Sequence, residues 1–202
     1  FGTNTLGVLV GLTAATADPA TSAPPPPSAA ITDMPNASKW VQYPTLPPSR
    51  VGGNIDIRQL VAGASLYLPV KVPGALFSVG DAHGAQGDGE VCVTAVEMDS
   101  TTTLRFSISQ VPISEPQLRL AGPPTTIGGA YHGCTAHAPD LMQAARNATR
   151  HLIDWLGREA HLSPEDAYAL SSVVAELRIS QIVDAPNWTV TAFFPMTVLT
   201  GR

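Results

Sequence analysis

Between Gly80 and Glu90 the chain places Asp81, His83, Asp88 and Glu90 among four glycines, at positions 80, 84, 87 and 89. The glycines free the backbone to fold back on itself, at a cost in conformational entropy. Three acids and an imidazole can then converge on one point. Carboxylates with an imidazole suit a divalent cation of borderline hardness, zinc or manganese, better than calcium or copper(I). The loop does not match the EF-hand pattern, which needs carboxylates at its first, third and fifth positions and glycine at the sixth. The same spacing also fits a polar glycine-rich turn with solvated acids, and spacing alone leaves both readings open.

Other constellations carry less. No Gly-x-Ser-x-Gly elbow is present, and Lys39 and Lys71, the only lysines, lack the glycine- and serine-rich surroundings of serine amidases. Cys92 follows Glu90 on an alternating stretch, which reads as a packed or disulfide-bonded cysteine rather than a nucleophile. His132 and His137 flank Cys134 and could imitate a metal cluster, but they read more simply as a loop leading into a helix. His151 and His161 fit a helix surface and a helix end. Trp40, Trp155 and Trp188 read as core and edge packing.

Composition narrows the function classes. A chain of 202 residues, 44% hydrophobic, can build one sizeable domain, so residues 1–202 are expected to form a single unit. Only 13% of residues are charged, and a net charge of -5 leaves no basic surface for nucleic acid. No apolar run approaches the roughly 20 residues that cross a bilayer, so no membrane partner is expected. Two cysteines, Cys92 and Cys134, allow at most one internal bridge. Three of the five asparagines, Asn36, Asn147 and Asn187, begin N-x-Ser/Thr acceptor patterns and point to a secreted glycoprotein, a cytoplasmic location being the alternative. The chain opens on Phe1, and the apolar residues that follow read as a strand and not a cleavable signal, so an upstream segment is expected to have been removed.

The elements that would position the loop are mostly strands. Residues 13–50 are rich in Ala, Pro, Ser and Thr and read as a long surface loop, with Trp40, Val41, Tyr43 and Leu46 able to pin part of it to the core. Leu66, Leu68, Val70 and Val72 alternate with other residues from Gly63 onward. Val91, Val93 and Ala95 repeat that period of two, as do Leu104, Phe106 and Ile108. Residues 139–157 instead space Leu141, Ala145, Ala148, Leu152 and Trp155 or Leu156 by threes and fours, the stripe of a helix. A second helix starts at Ser163, with Pro164 at its first position and Glu165 and Asp166 at the positive end of the dipole. Extended structure returns after Glu176 and ends at Thr189–Phe194. The fold class expected is α+β, predominantly strands with a C-terminal helical pair packed on the sheet.

The order of segments resembles the acetamidase/formamidase family. The likeness is carried by Gly52-Gly53-Asn54-Ile55-Asp56, by Gly63-Ala64-Ser65-Leu66-Tyr67-Leu68-Pro69-Val70, and by Gly74 through His83. It continues through Gln86-Gly87-Asp88-Gly89-Glu90-Val91-Cys92 to Glu97, then Asp140-Leu141, Ser163 through Tyr168, and Ile179 through Asp184. The resemblance implies metal-dependent hydrolysis of the C–N bond of formamide, acetamide or other short linear amides. It implies Asp81 and His83 as leading metal ligands, with zinc the expected ion. Asp88, Glu90 and Glu97 would be ligands or the general base, and Asn54, Asp56 and Gln86 would orient ligands or substrate.

The chain departs from the family's pattern in three places. Gly84 stands where alanine is usual, the insertion before Gly52 is long, and the family's N-terminal section is absent. A histidine commonly lies just before the segment similar to Phe1-Gly2-Thr3; either a companion chain from the same precursor supplies it, the expectation here together with a homo-oligomer, or the chain is a fragment. A secreted protein that keeps this fold without catalysis, for binding or storage, is the alternative function.

Overall fold

The computed structural model describes residues 13–15, 47–71, 75, 77–122 and 129–200. The larger of its two sheets is built from β3 (Ser65–Tyr67), β5 (Gln117–Leu120), β6 (Tyr131–Ala138), β7 (Glu176–Gln181) and β8 (Trp188–Pro195), in the spatial order β3-β5-β6-β8-β7. All its neighbours are antiparallel. The smaller sheet has the order β2-β1-β4, from β2 (Gly52–Gly53), β1 (Thr13–Ala15) and β4 (Ser78–Gly80). With two helices packed against the larger sheet, the expected α+β class is the one observed.

Both helices start and stop where their residues dictate. In α1 (Leu141–Ala160) the Asp140 carboxylate accepts the Gln143 amide at 2.7 Å, satisfying a donor that the first turn leaves open. The buried residues Ala144, Ala148, Leu152, Trp155 and Leu156 form one stripe, and His161 ends the helix in the left-handed region at φ 56°. In α2 (Pro164–Val174) the Ser163 hydroxyl accepts the Asp166 amide, with Pro164 opening the first turn.

The sheet is covered on both faces. On one side Cys134, Ala136, Ala138, Val190, Ala192 and Phe194 meet the α1 stripe. On the other, Tyr131, Leu118, Leu120 and Phe193 pack on Ile55, Ile57 and Leu60. Those last three residues belong to the turn that follows β2. The second layer therefore ties the site-bearing segment to the sheet.

Several elements differ from expectation, each for a physical reason. The segment around His132, Cys134 and His137 is not a loop but β6, the central strand, paired over eight residues with β8. It is buried on both faces, so it lacks the alternation of a half-exposed strand. Conversely, Val91–Ala95 and Leu104–Ile108 alternate without forming strands, and Val91, Val93, Leu104, Phe106 and Ile108 are exposed. Among the described residues of the pattern after Gly63, Ser65–Tyr67 is the strand, and Val72 lies outside the described residues. Thr13–Ala15, expected within a loop, pairs with both β2 and β4. Cys92 is neither packed nor bridged: both cysteines are free, Cys92 exposed and Cys134 buried. The expected opening strand, most of the Pro-rich loop and Asn36 lie outside the described residues. Among the described residues no helix is long and apolar enough to cross a membrane.

Candidate active site

The site is assembled by three backbone reversals. Beyond β4 the chain passes Asp81 and runs antiparallel to residues 96–98, with the Gly84 amide donating to the Val96 carbonyl at 2.7 Å and the Met98 amide to the Ala82 carbonyl at 3.0 Å. His83 and Glu97 are directly opposite in this pairing, so their side chains leave on the same face. Gly89 then docks on the end of β7, its amide donating to Ser180 and its carbonyl accepting from Ile182, which fixes Glu90. Asp56 arrives from the third reversal, held between the fully buried Ile55 and Ile57.

Three of these acids occupy backbone conformations that L-residues avoid. Asp56, Asp81 and Glu90 have φ of 41°, 59° and 43°. Such strain persists only where surrounding structure over-determines it, and it gathers at functional sites. Here it falls on three carboxylates that face one imidazole.

His83 is the centre of the arrangement and is 1% exposed. Its Nε2 lies 3.2 Å from Glu97 Oε2, 3.4 Å from Asp81 Oδ1 and 4.0 Å from Glu90 Oε1. Its Nδ1 lies 3.3 Å from Gln86 Oε1, while the Gln86 amide group donates to the Asp56 carbonyl oxygen. Gln86 therefore fixes the ring and links it to the turn carrying Asp56. Two trios, Asp56 with His83 and Glu90, and Asp81 with His83 and Glu97, each offer ligand atoms within 4.8 Å of one another.

The inner trio is dry and short of positive charge. Asp56 is 1% exposed and neither of its carboxylate oxygens accepts a hydrogen bond. Asp184 lies beside it, and a protonated Asp56 can donate a hydrogen bond to that carboxyl. Burial above all, then the charges of Glu90 and Asp184, push the Asp56 carboxyl up to about 9. Burial also raises Glu90, against the pull of His83, and raises Asp184, against hydrogen bonds that include one from the Asn54 amide at 2.9 Å. No lysine or arginine reaches Asp56, Glu90, Glu97 or Asp184 within ion-pair distance among the described residues. A buried carboxylate group of this density requires protons or a cation. The orphaned Asp56 oxygens and the oxygen and imidazole donors fit a divalent ion.

Glu97 behaves differently. Burial works upward on it, but the Ala95 amide, the Thr94 hydroxyl and His83 together hold its carboxyl below the ordinary range. It is half exposed and lines an open cleft of about 440 Å³ with Asp81, Ala82, Met98 and Asp99. A larger groove, about 660 Å³ along α1, α2 and β7, shares no residue with this cluster.

Most residues singled out from the sequence meet here: Asp56, Asp81, His83, Glu90 and Glu97 around the imidazole, Gln86 and Asn54 just behind. Asp88 does not. Its carboxylate accepts from Arg178 at 2.6 Å and from Gln59 at 3.2 Å, with Arg58 at 3.8 Å, so it ties the loop to β7 and is not free to bind an ion or act as a base. Asp184 was missed as a site residue, although it ends the run Ile179–Asp184. Its signal is spatial, because it lies 130 residues from Asn54 in the chain.

The remaining histidines are structural. His132 stacks on Trp155 at 4.0 Å, and burial pushes its pKa down to about 3. His137 pairs with Glu115 at 2.7 Å. Of the acceptor asparagines, Asn147 is half-buried on α1, accepting from Gln143 and Arg150, and Asn187 donates to the Pro48 carbonyl.

Residues 13–200 match the model of the acetamidase/formamidase family. A Schizosaccharomyces pombe protein carrying a provisional formamidase name is 31% identical over 163 residues, covering 73% of this chain and 40% of its own length. The formamidase of Methylophilus methylotrophus is 29% identical over 172 residues, covering 76% of this chain and 41% of its own. In three dimensions the chain is similar to the acetamidase of Bacillus halodurans, with a TM-score of 0.77 and 28% identity over 97% of this chain and 57% of that one. The chain thus spans about two-fifths of the length of those curated relatives, and by the match over residues 13–200 it belongs to the acetamidase/formamidase family.

Proposed function

We propose that this chain carries the hydrolytic centre of a metal-dependent amidase acting on short linear amides such as formamide or acetamide. The observation that supports it most is Asp56: a fully buried carboxyl group whose oxygens accept no hydrogen bond, beside Glu90, Asp184 and His83, with no lysine or arginine in ion-pair reach among the described residues. His83, Asp56 and Glu90 would hold the ion from the inner side, and Asp81 would close it toward the cleft. Zinc suits the mixed imidazole and carboxylate donors. When bound, such an ion supplies Lewis acidity, making water acidic enough to attack near neutral pH and polarising a carbonyl.

The chain's own residues supply positioning and proton transfer. Glu97 stays ionised at neutral pH and faces the cleft, so it can take a proton from the attacking water. As the C–N bond breaks, the same carboxyl returns that proton to the departing nitrogen, and ammonia leaves with the bonding pair. Gln86 holds the His83 ring, and Asn54 with Asp184 braces the turn that presents Asp56.

The direct assay is ammonia release from formamide and acetamide by the whole gene product, beside Glu97→Gln and His83→Ala. Loss of at least about a hundredfold in kcat for Glu97→Gln is expected if it is the general base. Undiminished turnover in both variants would refute this reading.

A further inference from the structure

β7 changes register just before the turn that carries Asp184. Ile179 faces Val190 of β8 and Gln181 faces Thr189, so Ser180 is the extra residue of a β-bulge. In an unbroken strand consecutive side chains leave on opposite faces. Here the Ser180 and Thr191 hydroxyls bond at 2.7 Å, and the Gln181 amide group donates to the Thr189 hydroxyl at 3.1 Å. Thr189 and Thr191 are two apart on β8 and share a face, so the bulge turns both Ser180 and Gln181 to that face. Bulges next to active sites re-aim side chains in this way.

The side chain aimed here is a fully buried amide with every hydrogen-bonding position used. Gln181 Oε1 accepts the Val183 amide at 3.0 Å and the Asp184 amide at 3.1 Å. Its Nε2 donates to Thr189 and, at 3.3 Å, to the Asn187 carbonyl. A primary amide has two hydrogens and two lone pairs to offer, and all are engaged with described residues. The backbone held by Oε1 carries the carboxyl that accepts from Asn54 and stands beside Asp56. On either side of Gln181, the Ser180 carbonyl and the Ile182 amide clasp Gly89, the residue before Glu90. The segments that bring Asp184 and Glu90 to the site therefore meet at Gln181.

We infer that Gln181, which does not line the cleft, is a positioning residue for the inner carboxylates. Its amide sets the backbone of Val183 and Asp184 and, through Asn54, the turn that presents Asp56. The effect on metal binding rests on the proposed metal centre; the positioning does not. Methionine at 181 would keep the length of the side chain but leave two buried N–H groups without an acceptor.

The whole gene product would be compared as wild type, Gln181→Met and Thr191→Val, the last removing the hydroxyl pair on the same face without touching the turn. In metal-free protein, amide hydrogen exchange would be followed in peptides spanning residues 182–185 and 54–57. Gln181→Met should speed exchange in both by at least about tenfold, whereas Thr191→Val should leave both near wild type. Competition with a chelator for zinc should show binding at least about tenfold weaker in Gln181→Met, the loss expected when a residue supporting metal ligands is removed, and unchanged in Thr191→Val. In an Asp184→Asn background Gln181→Met should weaken zinc binding little further, because it acts through that residue. Unchanged exchange at 54–57 in Gln181→Met, equal acceleration in Thr191→Val, or additive losses of zinc affinity would each overturn the inference. Should Gln181→Met not fold, Thr189→Val removes one anchor of the same amide and is expected to speed exchange at 182–185 beyond Thr191→Val; failure to do so would also overturn it. A wild type that binds no zinc but shows the exchange pattern would refute the metal centre and leave the positioning role standing.

Discussion

Asp56 and Asp88 are both loop carboxylates, yet their neighbours give them opposite roles. Asp88 has Arg178, Arg58 and Gln59 around it and is satisfied; Asp56 has Glu90 and Asp184 and is not. Asp88→Asn should therefore cost about 1–2 kcal/mol of stability, by weakening a partly buried ion pair, while leaving metal content unchanged. Urea unfolding with metal analysis checks both; loss of the metal in Asp88→Asn would put that residue back in the site. For Asp56 the linkage sign is definite. Its folded carboxyl, pushed up to about 9 from 3.8, holds a proton that the unfolded chain has released over most of that interval, so the metal-free fold is stabilised at low pH and loses that stability as pH rises. Glu90 and Asp184 act in the same direction, whereas the contribution of Glu97 is lost only on acidification below the ordinary carboxylate range. Chelator-treated protein should lose stability between about pH 5 and 8, by up to about 1.4 kcal/mol per pH unit per proton, and Asp56→Asn should flatten the slope. A metal-free stability that climbs through this range in the wild-type chain would show Asp56 to be ionised.

Elements were legible in the sequence where one face met solvent. The stripe Ala148, Leu152, Trp155 and Leu156 announces α1, and Ser163-Pro164 with two acids announces the start of α2. β6 was hidden because His132, Gly133, Cys134, Thr135 and Ala136 are all buried, whichever face they take. The false strands at 91–95 and 104–108 show the reverse case, a period-two pattern with no partner among the described residues. Gly133 marks how tightly the central strand is held. A Cβ there would meet the Phe193 ring at 3.0 Å and Leu118 Cδ1 at 3.1 Å. Gly133→Val supplies a better strand former, but overpacking should prevail and destabilise by about 1–3 kcal/mol. An unchanged denaturation midpoint would mean that the layer under β6 is looser than these distances.

At the scale of the whole molecule, the loop Gly80–Glu90 was readable as a candidate metal site because its donors lie within a few residues of one another. Asp184 and the paired state of Asp88 were not readable, since Arg178 on β7 meets Asp88 across 90 residues of chain and Asp184 meets Asn54, in the turn after β2, across 130. The inner acids are stable together only as protonated groups or around a cation, and that choice is the core of the functional proposal. The decisive measurement is the divalent metal content of the purified whole gene product after exhaustive dialysis, by inductively coupled plasma mass spectrometry, for wild type and His83→Ala. We expect about one equivalent of a divalent metal per wild-type chain and at least a tenfold lower content in His83→Ala, the loss that follows removal of a ligand. A metal-free wild type that still releases ammonia from formamide, or a His83→Ala variant that keeps its full equivalent, would contradict the proposed site.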